Sequence, residues 1–189
     1  IGEAGWPSHG WPAGLFDICM VEKPRAAFHR AMWNDEPMVR IAVRDNALDI
    51  DHGRDLWQWP NMGAIWNFPR AYEGLVIEVN TTTNCERVAL FHNGNEMGVR
   101  RTADYPNHTI TWCLPYRRGT LVAKGINGTD TVAVHEIRTA GDAVRLKTTA
   151  DRGKLMADGQ DLSYVQVELL DKDGTLVQHA DHVKASIKG

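Results

Sequence analysis

The side chains of this sequence that could do chemistry are mostly aromatic and acidic. Trp6 and Trp11 stand in a stretch punctuated by Gly2, Gly5, Pro7, Gly10, Pro12 and Gly14, while Trp57, Trp59 and Trp66 stand in a second irregular stretch, residues 45–72. An indole face stacks on the apolar C–H face of a sugar ring, leaving the hydroxyls to polar neighbours. Trp6 and Trp11 are therefore candidate substrate-binding residues, and Trp57, Trp59 and Trp66 a candidate glycan surface. Each set has a packing alternative. The first pair would simply pack its own loop, and the other three, with nearby prolines, would pin a long loop against its neighbour.

Asp49, Asp51, His52 and Asp55 offer ligands to Ca²⁺, but the twelve-residue loop closing on a Glu is missing, and solvated loop charge is the simpler reading. His179 and His182 flank Asp181 with the spacing of half a zinc site, and no second ligand pair completes it. The expectation is no metal and no cofactor. Glu3 and Asp17 precede the first helix and are read as loop hydrogen-bonding groups, so no catalytic residue is assigned. Cys85 and Cys113 would either bridge two sheets or stay free thiols. Asn80, Asn107 and Asn127 head Asn-x-Thr triplets, which matter only in a eukaryotic secretory host. Neither a glycine-rich phosphate loop nor a Ser-His-Asp pattern occurs.

The elements that must position these groups follow from periodicity. Pro24 suits the first turn of a helix, and Arg25 to Trp33 is rich in helix formers. Phe28, Ala31 and Met32 are predicted to form its apolar face, and Asn34-Asp35-Glu36-Pro37 ends it. From Met38 the period becomes two, with Val39, Ile41 and Val43 on one face. Strand signals follow at 75–79, 87–92, 109–114, 120–126 and 131–137. Asn93-Gly94 and Asn127-Gly128 are predicted as type I′ hairpin turns. Short strands with tight turns imply an antiparallel sandwich. After Thr139-Ala140-Gly141-Asp142 a second set begins: Val144/Leu146, Val165/Val167/Leu169, a turn at Asp173-Gly174, then Val183/Ala185/Ile187. This set holds about half of the roughly 100 residues an immunoglobulin-like sandwich needs.

Composition bounds the rest. The chain has 189 residues, a formal charge of −3, 43% hydrophobic residues and 24% charged ones, which fits a globular protein of one or two domains. The small negative charge argues against nucleic acid or an anionic membrane surface as partner, and no apolar run reaches the roughly 20 residues of a bilayer span. Three cysteines make no disulfide scaffold. The chain starts at Ile1 without a signal-peptide pattern, so it is expected to be a processed chain or an excised piece. Localisation is unknown from it, and a periplasmic or secreted bacterial protein would fit.

Several motifs in order resemble glycoside hydrolase family 2. Leu15-Phe16-Asp17-Ile18-Cys19, Lys23-Pro24-Arg25 and the helix ending in Met32-Trp33 resemble the last βα unit of its barrel, and Pro37-Met38-Val39 the start of its next domain. Asn84-Cys85-Glu86-Arg87-Val88-Ala89-Leu90-Phe91-His92-Asn93-Gly94 resembles its strand–turn motif after the barrel. Thr139-Ala140-Gly141 and Ala157 to Val165 resemble the start of a further immunoglobulin-like domain of its β-galactosidase-like members. The resemblance implies a mainly β chain: residues 1–36 a helical remnant of a (β/α)₈ barrel, 37–139 an immunoglobulin-like β-sandwich carrying the long loop 45–72, and 140–189 a partial immunoglobulin-like domain. It implies a retaining exo-β-glycosidase of β-galactosidase type, working through two carboxyl groups about 5–5.5 Å apart. In the family both are glutamates on earlier barrel strands, and those motifs are not in this sequence. The chain is thus expected to be inert alone, with an upstream barrel of the same polypeptide as its partner and a carbohydrate as the whole enzyme's substrate. Glu3 matches a position beside the site, and the loop carrying Trp6 lies at the catalytic face of such barrels. The alternative is a carbohydrate-binding or scaffold module using loop 45–72. Open strand edges in the unfinished domain would also favour a homodimer.

Overall fold

The computed structural model describes residues 14–16, 20, 22–44 and 62–177. It divides into two compact units, Ile1–Thr139 and Ala140–Gly189. The first holds helix α1 (Pro24–Trp33) and strands β1 (Val39–Arg44), β2 (Met62–Gly63), β3 (Val76–Thr83), β4 (Arg87–His92), β5 (Asn95–Arg101), β6 (Thr109–Pro115), β7 (Thr120–Asn127) and β8 (Asp130–Arg138). Two four-stranded sheets form, ordered β2-β1-β3-β6 and β5-β4-β7-β8, with every pairing antiparallel. This is the antiparallel sandwich anticipated from the short strands and tight turns, of the immunoglobulin-like kind that the resemblance implies.

Period-two patterning decides which face is buried. Val39, Ile41 and Val43, Ile77 and Val79, and Ile110, Trp112 and Leu114 point from one sheet toward Val88, Leu90, Leu121, Ala123 and Ile137 of the other, making one continuous core. The inner face of β3 continues into Thr81 and Thr83, both fully buried. Their hydroxyls are not left unpaired. Thr81 Oγ1 accepts from Trp112 Nε1 at 3.0 Å, and Thr83 Oγ1 donates to the Met38 carbonyl at 2.6 Å, as buried polar groups require.

Several expectations need correction. Trp66 is 1% exposed and sits in the core. Its indole N–H donates to the Arg117 carbonyl at 3.0 Å, and its ring meets Tyr116 edge-on at 4.9 Å. A ring enclosed on these sides offers no face to a glycan. It therefore anchors the end of stretch 45–72 inside the sandwich, where Met62–Gly63 also pairs with β1. The buried helix face is Ala26, Ala27 and Ala31 rather than Phe28, Ala31 and Met32, with Met32 44% exposed; small side chains let α1 approach Met38 closely. Strand β5 escapes the sequence signal because it is an edge strand whose residues are almost all exposed.

Asn93 and Gly94 both adopt positive φ, as a type I′ turn demands, but at the second hairpin only Gly128 does. There Asn127 pairs with Asp130, so the turn residues are Gly128-Thr129, one position later than predicted. Glycine in the first turn position suits the type II′ alternative. Cys85 and Cys113 are both free, one buried and one exposed. Asn80 is buried within β3, which removes it as a glycan acceptor.

The second unit holds β9 (Arg145–Ala150) and β10 (Val165–Leu170), an antiparallel ribbon. Asp171 to Gly174 then turns the chain, and Val177 N–H reaches the Leu169 carbonyl at 2.8 Å, beside an isolated bridge between Leu170 and Leu176.

Candidate functional site

Trp6, Trp11, Trp57 and Trp59 lie outside the described residues. So do Glu3, Asp17, Asp49, Asp51, His52, Asp55, His179, Asp181 and His182, and the alternation at Val183, Ala185 and Ile187. Among the described residues no group of three His, Cys, Asp or Glu side chains could hold a metal ion. The functional geometry on view is the joint between α1 and the sandwich, built by the turn from β3 to β4.

Asn84 is its centre. The Oδ1 accepts from Met38 N–H at 2.7 Å, and Nδ2 donates to the carbonyls of Asn34 and Glu36, each at 2.8 Å. One side chain thus satisfies a carbonyl at the helix end and both polar groups of the linker around Pro37, which would otherwise need water or another cap. The neighbouring residues reinforce it. Thr83 Oγ1 holds the Met38 carbonyl and accepts from Cys85 N–H at 3.0 Å. Glu86 N–H donates to Asn127 Oδ1 at 2.9 Å and its Oε2 accepts from Gly128 N–H at 2.9 Å, tying the β7–β8 turn to the same corner. On the other flank Glu22 lies 3.2 Å from Arg30 of α1 and 3.6 Å from Arg40 of β1. These are half-exposed pairs, worth little each, but they bridge helix to strand.

The free edge of β1 is closed differently. Ile41 N–H, beyond the reach of the short β2, donates to His135 Nδ1 of β8 at 3.0 Å. That nitrogen must stay unprotonated to accept, and burial together with the nearby Arg40 cation lowers the ring's pKa from 6.5 to about 4. At the opposite edge Arg100 lies over the Trp112 ring at 4.5 Å and donates to the Tyr105 hydroxyl at 3.0 Å, a cation–π contact that fills the sandwich mouth.

In the second unit the polar network lies in the loop between β9 and β10. Asp158 accepts from Gln160 and Asp161 N–H, each at 2.9 Å, with Gly159 at positive φ. Asp161 holds Arg152 Nη1 and Met156 N–H, both at 2.8 Å. Asp151 accepts from Ser163 Oγ at 2.7 Å. Asp171 accepts from Gly141 N–H at 2.9 Å and Thr175 N–H at 2.8 Å. Each of Asp151, Asp158 and Asp171 is held below the usual carboxylate range by these donors. The motif from Ala157 to Val165 is therefore a hydrogen-bonded loop that leads into the first residue of β10.

Sequence reading missed Glu22, Thr83, His135 and Asp171. Only Thr83 carried a usable signal, because it continues the inward alternation of Ile77 and Val79. Glu22 and His135 act through partners 8 and 94 residues away in sequence, and Asp171, besides its local turn contacts with Asp173 and Thr175, reaches Gly141 thirty residues back; one-dimensional spacing does not report such distant partners.

Known proteins bear on this geometry in three ways. Residues 74–133 match a family described as a domain of unknown function, DUF4982, and residues 146–189 match glycoside hydrolase family 2 C-terminal domain 5. The chain is 29% identical over 186 residues to the beta-galactosidase BoGH2A of Bacteroides ovatus, which covers 97% of this chain and 19% of that protein. A crystal structure of a glycosyl hydrolase family 2 member from Bacteroides cellulosilyticus is similar with a TM-score of 0.80 and 31% identity, over 92% of this chain and 24% of that one. A beta-glucuronidase of glycoside hydrolase family 2 shares the fold at a TM-score of 0.62 and 22% identity, over 86% of this chain and 15% of that one. The chain therefore spans about a fifth of the length of the relatives it matches. Residues 146–189 thus match a family 2 model, and the chain as a whole is similar to the C-terminal β-sandwich portion of glycoside hydrolase family 2 proteins.

Proposed function

We propose that this chain is the non-catalytic support of a retaining family 2 glycosidase that cleaves terminal β-galactosides. The observation that carries the reading is the Asn84 clamp: a polar corner of the sandwich grips the end of α1 and the linker behind it. In the proposed organisation residues 1–36 belong to an upstream (β/α)₈ barrel, residues 37–139 brace it, and residues 140–189 open a further immunoglobulin-like domain. Both carboxyl groups of the retaining mechanism would come from that barrel, with Trp6 and Trp11 stacking on the sugar. The name of the Bacteroides ovatus relative, 29% identical, supports the galactoside, and a Formosa agariphila relative, 28% identical and named a putative beta-glucuronidase, makes the glucuronide the competing substrate. The ribbon edge of the second unit is proposed as a pairing edge for a second copy.

The test is turnover. The purified chain should cleave neither an aryl β-galactoside nor an aryl β-glucuronide, whereas the polypeptide carrying the barrel should cleave the galactoside. In that longer protein Asn84→Ala should lower the thermal midpoint, at a cost of about 2 kcal/mol for three lost hydrogen bonds. Cleavage by the purified chain alone would sink the supporting role, and preference of the longer protein for the glucuronide would sink the galactoside assignment.

A further inference from the structure

The corner that clamps Met38 also forms a wall of an open cleft of about 670 Å³, inside the first unit and lined by Glu86, Arg87, Arg101, Tyr105, Asn107 and His108 among others. Ligand pockets commonly fall between roughly 300 and 1,000 Å³. Its charge arrangement is unusual. Arg87 of β4 stands directly opposite Arg101 of β5 in the ladder, a placement in which like charges destabilise a sheet. Among the described residues neither arginine has a carboxylate ion partner. Arg87 is steadied by the Gly128 carbonyl. Glu86, the lining carboxylate, is engaged by the Gly128 N–H. Two guanidinium forks thus face one carboxylate that is already hydrogen-bonded.

The far wall is held in a costly conformation. Asn107 and His108 both lie in the left-handed region, at φ 59° and 54°, and His108 Nδ1 donates to the Thr83 carbonyl at 3.2 Å. Consecutive left-handed residues without glycine persist only where the surroundings fix them, and such places cluster at ligand sites. Arginine forks match the planar or tetrahedral oxygens of carboxylate and sulfate.

We propose that this cleft binds an oxyanion carried on a sugar ring, a carboxylate or a sulfate group, which Arg101 and Arg87 clamp together. The sugar component rests on the glycosidase reading above, and the anionic component rests on the arginine pair alone. The site uses no catalytic group, so it can fail while the turnover test succeeds, and the reverse.

The experiment is a titration of the ¹⁵N-labelled chain with D-glucuronate, glucose 6-sulfate and glucose. At least one charged sugar should give saturable shifts at the amides of Arg101, Thr102, Ala103 and His108; glucuronate alone identifies a carboxylate, and the sulfate ester alone identifies a sulfate. Glucose should give none. Arg101→Gln should weaken binding about tenfold or more, and because it relieves the like-charge pair its thermal midpoint should match or exceed that of the parent. Three results would overturn the site: no saturable shift with either charged sugar, equal shifts with glucose, or an affinity indifferent to Arg101→Gln.

Discussion

The sandwich of the first unit and the ribbon of the second follow the same rule of alternation and arrive at opposite burial. In the sandwich each sheet covers the other, and Val79, Val88, Leu90, Ile110 and Leu121 are wholly enclosed. In the ribbon the register puts Leu146 beside Leu169, and Val165 and Val167 on that same face. Yet every residue of β9 is exposed, and Leu146, Val165 and Val167 keep about half their surface. Amphipathic patterning selects a face, but only a second layer buries it. Order in the second unit is carried instead by aspartates gripping backbone N–H groups, which are local contacts of modest net value. The two units should therefore respond to different perturbations.

The largest effect should come from the aromatic anchor. Trp66→Ala removes a fully buried indole with its hydrogen bond and edge-on ring contacts. It should cost the sandwich about 3–5 kcal/mol. Every tryptophan of the chain precedes residue 140, so tryptophan fluorescence during denaturation reads the first unit alone, while amide resonances of Leu146 and Val167 read the ribbon. An early fluorescence transition with unmoved ribbon amides is expected. Ribbon amides lost together with the fluorescence would erase the contrast.

A smaller loss should follow from Gly125→Ala. A methyl there would lie 2.6 Å from Cys85 Sγ and 3.3 Å from the Ala133 methyl, overpacking worth about 1–3 kcal/mol. Adding Cys85→Ala removes the sulfur, and the double variant should recover more than half of the loss. Purely additive losses would mean that the sulfur is not the obstacle.

How much of this was readable beforehand depended on the range of the interaction. Strand positions, the Asn93-Gly94 turn and the inward-facing core follow from neighbours one to four residues apart, and the sandwich was legible for that reason. Trp66 stayed open between a glycan surface and packing because tryptophan among prolines looks the same whether it covers a surface or plugs a core; the Arg117 carbonyl and the Tyr116 ring, some fifty residues on, decide for packing. The motif from Asn84 to Gly94 was legible as a family feature, but its physical work, gripping Met38, Asn34 and Glu36, needed coordinates. The arginine pair at the cleft was invisible because β5 itself was not recognised as a strand, and without a register Arg87 and Arg101 are simply two surface cations.

The subtlest distinction between the units should appear on acidification. In the sandwich, His135 must be neutral to accept the Ile41 N–H, and its pKa falls from 6.5 to about 4 in the folded state. Between those values the unfolded chain binds a proton that the folded chain refuses, so stability is full above pH 6.5 and drains as pH falls toward 4. The gap corresponds to at most about 3 kcal/mol, or about 2 kcal/mol once the ring's partial contact with water is allowed for. In the ribbon the sign is the same, but the window lies lower on the pH axis. Asp171, held down by Gly141 and Thr175 N–H, together with Asp151 and Asp158, favours the folded state above the ordinary carboxylate value of 3.8 and yields only as pH drops below it. Between pH 6.5 and 4, tryptophan fluorescence should therefore register a falling denaturation midpoint while ribbon amides hold, and His135→Gln should flatten that slope. A slope that survives the substitution would mean that the β1 edge is closed by something other than an uncharged imidazole.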